Sequence, residues 1–155
     1  MTLIRNAKTL GAFLGLDEKD KLYQVDCLVE GGRVKKLSQN PIEGYEGEVI
    51  EASGMFLSPG LVDPQVHFRE PGSTDTEDLE SGSKAAVLGG VTSVFEMPNT
   101  NPPTSSPVEF KRKLSLAANR MFCNYAFYFG ATPNNIDDLK QLNNLEGCCG
   151  VKLFA

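Results

Sequence analysis

The sequence predicts an α/β fold: the N-terminal half of a TIM-like (β/α) barrel, preceded by a small β-sandwich segment. Three observations carry this. From residue 58 onward, four apolar strand-like runs alternate with three helix-like runs, the rhythm of a parallel sheet with right-handed crossovers. No Gly-rich fingerprint follows any of these strands, which sets aside a dinucleotide-binding sheet. The first of the four runs ends in a histidine, an arginine and a carboxylate just before a Pro-Gly turn, and barrels build their sites at strand carboxyl ends in this way.

The elements follow in order. Residues 1–57 read as short strands and turns forming one small β-domain segment, and residues 58–155 as the half-barrel. Leu3–Ala7 opens a strand. Val25–Val29 leads through Glu30-Gly31-Gly32 into Arg33–Leu37, a hairpin whose glycines supply positive φ. Val49-Ile50 and Met55-Phe56-Leu57 are further strand candidates. In the half-barrel, Ser58-Pro59-Gly60 punctuates the start of a strand carrying Leu61, Val62 and Val66. Thr74-Asp75-Thr76-Glu77 offers a capping box to a helix that runs to Leu88 and stops at Gly89-Gly90. Val91–Met97 is the second strand, running into Pro98-Asn99-Thr100-Asn101-Pro102-Pro103, where prolines forbid helix. Ser106-Pro107-Val108-Glu109 starts the next helix with a cap and a proline at the first helical position. Cys123–Phe129 is the third strand. Asn134 or Asn135 caps a shorter helix, and Gly150–Phe154 is the fourth strand. A half-barrel leaves the edges of its first and fourth strands unpaired, and exposed edges aggregate. Either the sequence is a truncated product, or the closing strands belong to another part of the protein.

Composition narrows the function classes. At 41% hydrophobic and 23% charged, the 155-residue chain is globular rather than disordered. Its net charge of -5, with no basic cluster, argues against nucleic acid or an anionic membrane as partner. No signal segment or membrane-length apolar run is present, so a cytoplasmic protein is expected. Cys27, Cys123, Cys148 and Cys149 show no CxxC spacing and read as buried reduced thiols.

Four residues at strand carboxyl ends are candidates for chemistry. His67 is the only histidine; the pattern alone allows a packed or loop residue as readily as a metal ligand. Arg69 can bind a carboxylate through two parallel N–H groups, and Asn99 can add a neutral donor or simply shape a turn between prolines. Lys152, between Val151 and Leu153, is either an exposed strand residue or a lysine held for a purpose.

The run Val62-Asp63-Pro64-Gln65-Val66-His67-Phe68-Arg69-Glu70-Pro71-Gly72 resembles the first-strand signature of the dihydroorotases, within the amidohydrolase superfamily. Met97-Pro98-Asn99-Thr100-Asn101-Pro102 is similar to the loop whose asparagine, with the arginine after strand one, holds the substrate carboxylate. Gly150-Val151-Lys152-Leu153-Phe154 resembles the fourth barrel strand, whose lysine carries a carbamate bridging two metals. The resemblance implies His67 and Lys152 as metal ligands, Arg69 and Asn99 as substrate-binding residues, and one or two zinc ions. It implies hydrolysis of a cyclic amide, interconverting dihydroorotate and N-carbamoyl-aspartate in pyrimidine synthesis. It also implies a β-domain ahead of the barrel, to which such chains return after the barrel.

The family places histidines at both 65 and 67, and this chain has Gln65. An amide is a weaker zinc ligand than an imidazole. Catalytic zinc generally takes three protein ligands, so these residues do not complete a site, and the general acid/base is expected elsewhere. Glu70 and Asp75 read as loop and helix-start carboxylates rather than bases. The alternatives are a dihydroorotase-like structural subunit without catalysis, and a hydantoinase- or allantoinase-type enzyme. The expected partners are a small-molecule substrate and either a second copy or the remainder of the same polypeptide.

Overall fold

The computed structural model describes residues 1–154. The chain divides into two compact units, the first Met1–Pro59 and the second from Gly60 onward.

The first unit is a four-stranded sheet made by β1 (Thr2–Leu10), β2 (Leu22–Glu30), β3 (Arg33–Ser38) and β4 (Glu48–Glu51), in the order β3-β2-β1-β4. β1 and β2 run antiparallel, as do β2 and β3, while β4 lies parallel to β1. Gly31 and Gly32, with φ of 56° and 73°, close the β2–β3 hairpin through the left-handed region that glycine enters without steric cost. β1 bulges between Ile4 and Ala7, where Asn6 takes φ 61°. Its amide donates at 2.9 Å to the buried carboxylate of Asp26, which also accepts from the Ile42 amide, so the irregular backbone is satisfied by a side chain. The Met55–Leu57 run forms only an isolated bridge between Phe56 and Lys8, not a strand.

The second unit is a curled parallel sheet in sequence order: β5 (Leu61–Val66), β6 (Val91–Glu96), β7 (Asn124–Gly130) and β8 (Cys148–Lys152). The intervening helices are α1 (Leu79–Leu88), α2 (Pro107–Ala117) and the single turn α3 (Ile136–Leu139). Phe68, Leu79, Val94, Phe110, Ala117, Phe127 and Phe129 form the core between sheet and helices. Phe110 stands edge-on to Phe127 and stacks on Phe129, both at just over 6 Å between centroids (6.3 and 6.2 Å). A Cβ at Gly82 would overlap the Phe68 ring, so the absent side chain is what lets α1 lie against the loop after β5. β5 and β8 are the sheet edges, and Leu61, Val62 and Val151 on them are exposed.

Local details differ from the sequence expectations. Helix α1 is capped by Asp78 and not by the Thr74–Glu77 box: the Ser81 amide donates to Asp78 at 2.6 Å, and the Ser81 hydroxyl accepts from the Asp78 amide. Residues 73–77 form a turn instead, with the Thr76 and Glu77 amides bonded to the Ser73 carbonyl. Asn135 precedes α3 without capping it. Its buried side chain donates to the Ser105 and Gly130 carbonyls and accepts from the Thr132 amide, all at 2.8 Å. β8 begins at Cys148, two residues ahead of the expected start, because Cys148 pairs with Phe127. The four cysteines are free; Cys27 is buried and the other three are half-buried. Burial raises the thiol pKa of Cys149 to about 11, which keeps it protonated. Among the described residues no helix is long and apolar enough to cross a membrane.

Two predictions follow from the polar ties between loops. Asn135→Ala strands three backbone groups, one buried and two partly buried, and should lower the unfolding free energy by about 2 kcal/mol, read from denaturant midpoints at unchanged m-value. Arg120 donates to Glu70 at 2.8 Å and to the Leu116 carbonyl at 3.1 Å, tying the loop after β5 to the end of α2. Its side chain is 32% exposed, so Arg120→Met should cost about 1.5 kcal/mol, the low end for a charge-assisted bond.

Candidate functional site

In a parallel sheet all strand carboxyl ends lie along one edge, and the chain's polar chemistry gathers there. β5 and β6 pair with Val66 opposite Glu96, and the Met97 amide donates to the Val66 carbonyl at 3.0 Å. This register sets the residues after Val66 beside the residues after Glu96. The result is a direct contact between two expected site residues: His67 Nδ1 lies 2.9 Å from Asn99 Oδ1. The amide oxygen accepts, so the ring hydrogen is on Nδ1 and the lone pair on Nε2. Among the described residues Nε2 has no hydrogen-bond partner.

Phe68 is buried between His67 and Arg69, so the loop after β5 is pinned at its middle residue. Arg69 is exposed, and among the described residues its guanidinium forms no ion pair. Glu70 is buried and committed: it accepts from the Leu79 amide at 3.0 Å, at the start of α1, and from Arg120 at 2.8 Å. This fits the expected loop and helix-start role rather than that of a base. The Arg120 guanidinium also lies 3.6 Å from Asp78 and 3.7 Å from Glu80.

The Pro98–Ser105 loop is bonded at several points. The Asn101 amide donates to the Pro71 carbonyl, tying it to the loop after β5. The Thr104 amide donates to the Pro98 carbonyl, and the Gly130 amide to the Thr104 carbonyl, tying it to the end of β7. Asn99 therefore stands on a fixed base.

Lys152 is the last residue of β8 and half-buried. Its carbonyl accepts from the Ala131 amide, and its Nζ lies 5.3 Å from the centroid of the Phe154 ring. Among the described residues no hydrogen bond or ion pair joins it to His67, Arg69 or Asn99. The structure thus brings His67 and Asn99 into contact and places Arg69 and Lys152 along the same edge. Gln65 is exposed, and its backbone N–H donates to Asp63 Oδ1 at 2.9 Å.

As a metal's donor set these residues are partial. The His67 imidazole is of a metal-ligating type, and the Lys152 side chain forms no hydrogen bond or ion pair among the described residues. Gln65 is a neutral amide, and among the described residues no three His, Cys, Asp or Glu converge.

Sequence reasoning missed a buried pair beneath this edge. Glu96 ends β6, Lys113 projects from α2, both are fully buried, and they contact each other. Loss of water is the main cause that raises the Glu96 carboxyl to about 8, and it also lowers the Lys113 ammonium, each partner opposing the other's shift. The signal was present: Lys113 occupies the same helical face as buried Phe110 and Ala117, three and four residues away.

Comparison with known proteins bears on this arrangement. A model of the amidohydrolase family matches residues 56–148. A dihydroorotase of Streptococcus thermophilus is 44% identical over 118 residues, covering 76% of this chain and 26% of that protein. A dihydroorotase of Streptococcus pyogenes is 38% identical over 146 residues, covering 92% of this chain and 33% of that protein. An allantoinase of Desulfitobacterium hafniense is 36% identical over 137 residues, covering 88% and 30%. Among solved structures, an L-hydantoinase from Arthrobacter aurescens superposes with a TM-score of 0.82 at 28% identity, over 97% of this chain and 32% of that one. The chain spans about a quarter to a third of the length of the curated relatives it matches. With the family's pattern across more than half its length, laid over the half-barrel, the chain belongs to the amidohydrolase family.

Proposed function

We propose that this chain supplies the carboxylate-binding and first metal-binding elements of a dihydroorotase, which interconverts dihydroorotate and N-carbamoyl-aspartate in de novo pyrimidine synthesis in the cytoplasm. The observation that carries the reading is the contact between His67 and Asn99, on the same sheet edge as an Arg69 that forms no ion pair among the described residues. Dihydroorotate carries a carboxylate on its ring; a guanidinium meets it with two parallel donors. Asn99 serves two groups at once. Its Oδ1 holds the His67 ring hydrogen, and its NH₂ remains to donate to the substrate carboxylate.

In this reading His67 offers Nε2 to a zinc ion, and Lys152 offers an oxygen ligand after carboxylation. The neutral lysine nitrogen would attack carbon dioxide: a C–N bond forms, one C=O π bond opens onto oxygen, and one N–H proton leaves to water, giving an anionic carbamate. When bound, such a metal supplies Lewis-acid polarisation of a carbonyl and makes a water acidic enough to ionise near neutral pH. The residues of this chain hold the substrate by its carboxylate and orient the ring for that chemistry. The remaining ligands and the proton-transfer group are contributed by the remainder of the same polypeptide or by a second copy.

Gln65 favours a second reading, a dihydroorotase-like structural subunit without turnover, because it places an amide where an imidazole is expected. The allantoinase relative and the hydantoinase structures favour a third, a related cyclic amidohydrolase. One experiment separates the three: assay the full-length protein on dihydroorotate, hydantoin and allantoin, and measure its zinc by mass spectrometry. Turnover of dihydroorotate with bound zinc supports the proposal. A zinc-free protein without turnover leaves the structural subunit.

Two variants sharpen the test. Arg69→Ala should lower kcat/KM for dihydroorotate by about 10²–10³-fold, corresponding to the loss of a bidentate charged contact, with the fold intact by circular dichroism. Retained activity would remove the carboxylate-binding role. Lys152→Ala should reduce bound zinc and abolish turnover; full zinc occupancy in that variant would show that this lysine is not a ligand.

A further inference from the structure

Strand β6 ends on Glu96, and α2 buries Lys113 against it. Neither side chain has any solvent exposure. The Lys113 ammonium also donates to the Met97 carbonyl at 3.3 Å and lies 5.2 Å from the centroid of the Phe127 ring. Lysine is almost never fully buried without a partner. A buried pair of this kind generally adds no stability over well-packed apolar side chains, since both charges lose their water. Its presence therefore calls for a reason other than stability.

Its neighbours supply one. Met97 is two residues before Asn99, with only Pro98 between, so a donor on the Met97 carbonyl sets the base from which Asn99 projects. The Met97 amide is held on its other side by the Val66 carbonyl, one residue before His67. The pair thus lies beneath the junction from which His67 and Asn99 project.

We propose that Glu96 and Lys113 are positioning residues for carboxylate recognition: they fix the Met97–Asn99 backbone from which the Asn99 side chain projects. The carboxylate itself rests on the dihydroorotase reading above; the backbone tether does not.

The test uses the full-length protein. Lys113→Met alone leaves a buried carboxylate and can fail to fold, so the decisive variant is the double change Glu96→Leu with Lys113→Met, which replaces the pair by apolar groups of similar size. It should unfold at or above the wild-type denaturant midpoint. Its KM for dihydroorotate should rise about tenfold with kcat within about twofold, the signature of weakened ground-state binding. Hydrogen exchange of the Asn101 and Thr104 amides, bonded to the Pro71 and Pro98 carbonyls, should speed up about tenfold while that of β7 stays unchanged. Wild-type KM overturns the proposal, whether or not the loop exchanges faster, because the pair would then not serve the substrate. Wild-type exchange at Asn101 and Thr104 overturns it as well, because the tether would not hold the loop. If the wild-type protein does not turn over dihydroorotate, the functional reading falls on its own, and the exchange measurement alone decides the tether.

Discussion

The parallel pairing of β5 with β6 is the constraint from which the site derives. With Val66 opposite Glu96 and the Met97 amide on the Val66 carbonyl, the next few residues of each strand must emerge side by side. His67 meets Asn99 across that junction although the two are 32 positions apart in sequence. A strand slip of one residue would turn each side chain to the opposite face of the sheet and break the contact. The loops above the junction are then fixed to each other by Asn101 on Pro71 and to β7 by Gly130 on Thr104.

Residues that never approach a substrate do much of the work of holding this edge still. Glu70 joins the start of α1 to Arg120 beyond the end of α2. Asn135 joins the end of the Pro98–Ser105 loop to the end of β7. Each is a polar side chain satisfying backbone or charge that the loops would otherwise leave unpaired, and each replaces water with a fixed partner. Pre-organisation of this sort is what lets a few exposed groups act on a ligand without first paying to be ordered.

Much of this was legible in the sequence, and the reasons are specific. The half-barrel followed from the alternation of apolar strands with capped helices, and the Ser106 cap with Pro107 stands where the pattern put it. Strand order put His67 and Asn99 at the ends of neighbouring strands; the direct contact between them came from the β5–β6 register, which the sequence did not display. What failed was local competition. Two polar runs lie at the start of α1, and the later one, Asp78 with Ser81, is the cap; the other closes a turn. Asn135 sits where a cap belongs, but the stranded carbonyls of Ser105 and Gly130 claim its amide. Glu96 and Lys113 were hidden because charge is ordinarily read as exposure. Only the helical spacing of Lys113 with Phe110 and Ala117 marks it as inward-facing.

Phe68 and Gly82 form a plug and its seat. The ring occupies the space that any larger residue at position 82 would fill, and its burial holds the one backbone position shared by the segments bearing the imidazole and the guanidinium. A methyl group added at 82 would have to lever the helix outward, and Asp78 at its start, facing Arg120, would travel with it. The freedom of position 82 to vary is thus bounded by chemistry at the far edge of the sheet. A hydrogen atom there is a geometric tolerance of the whole assembly.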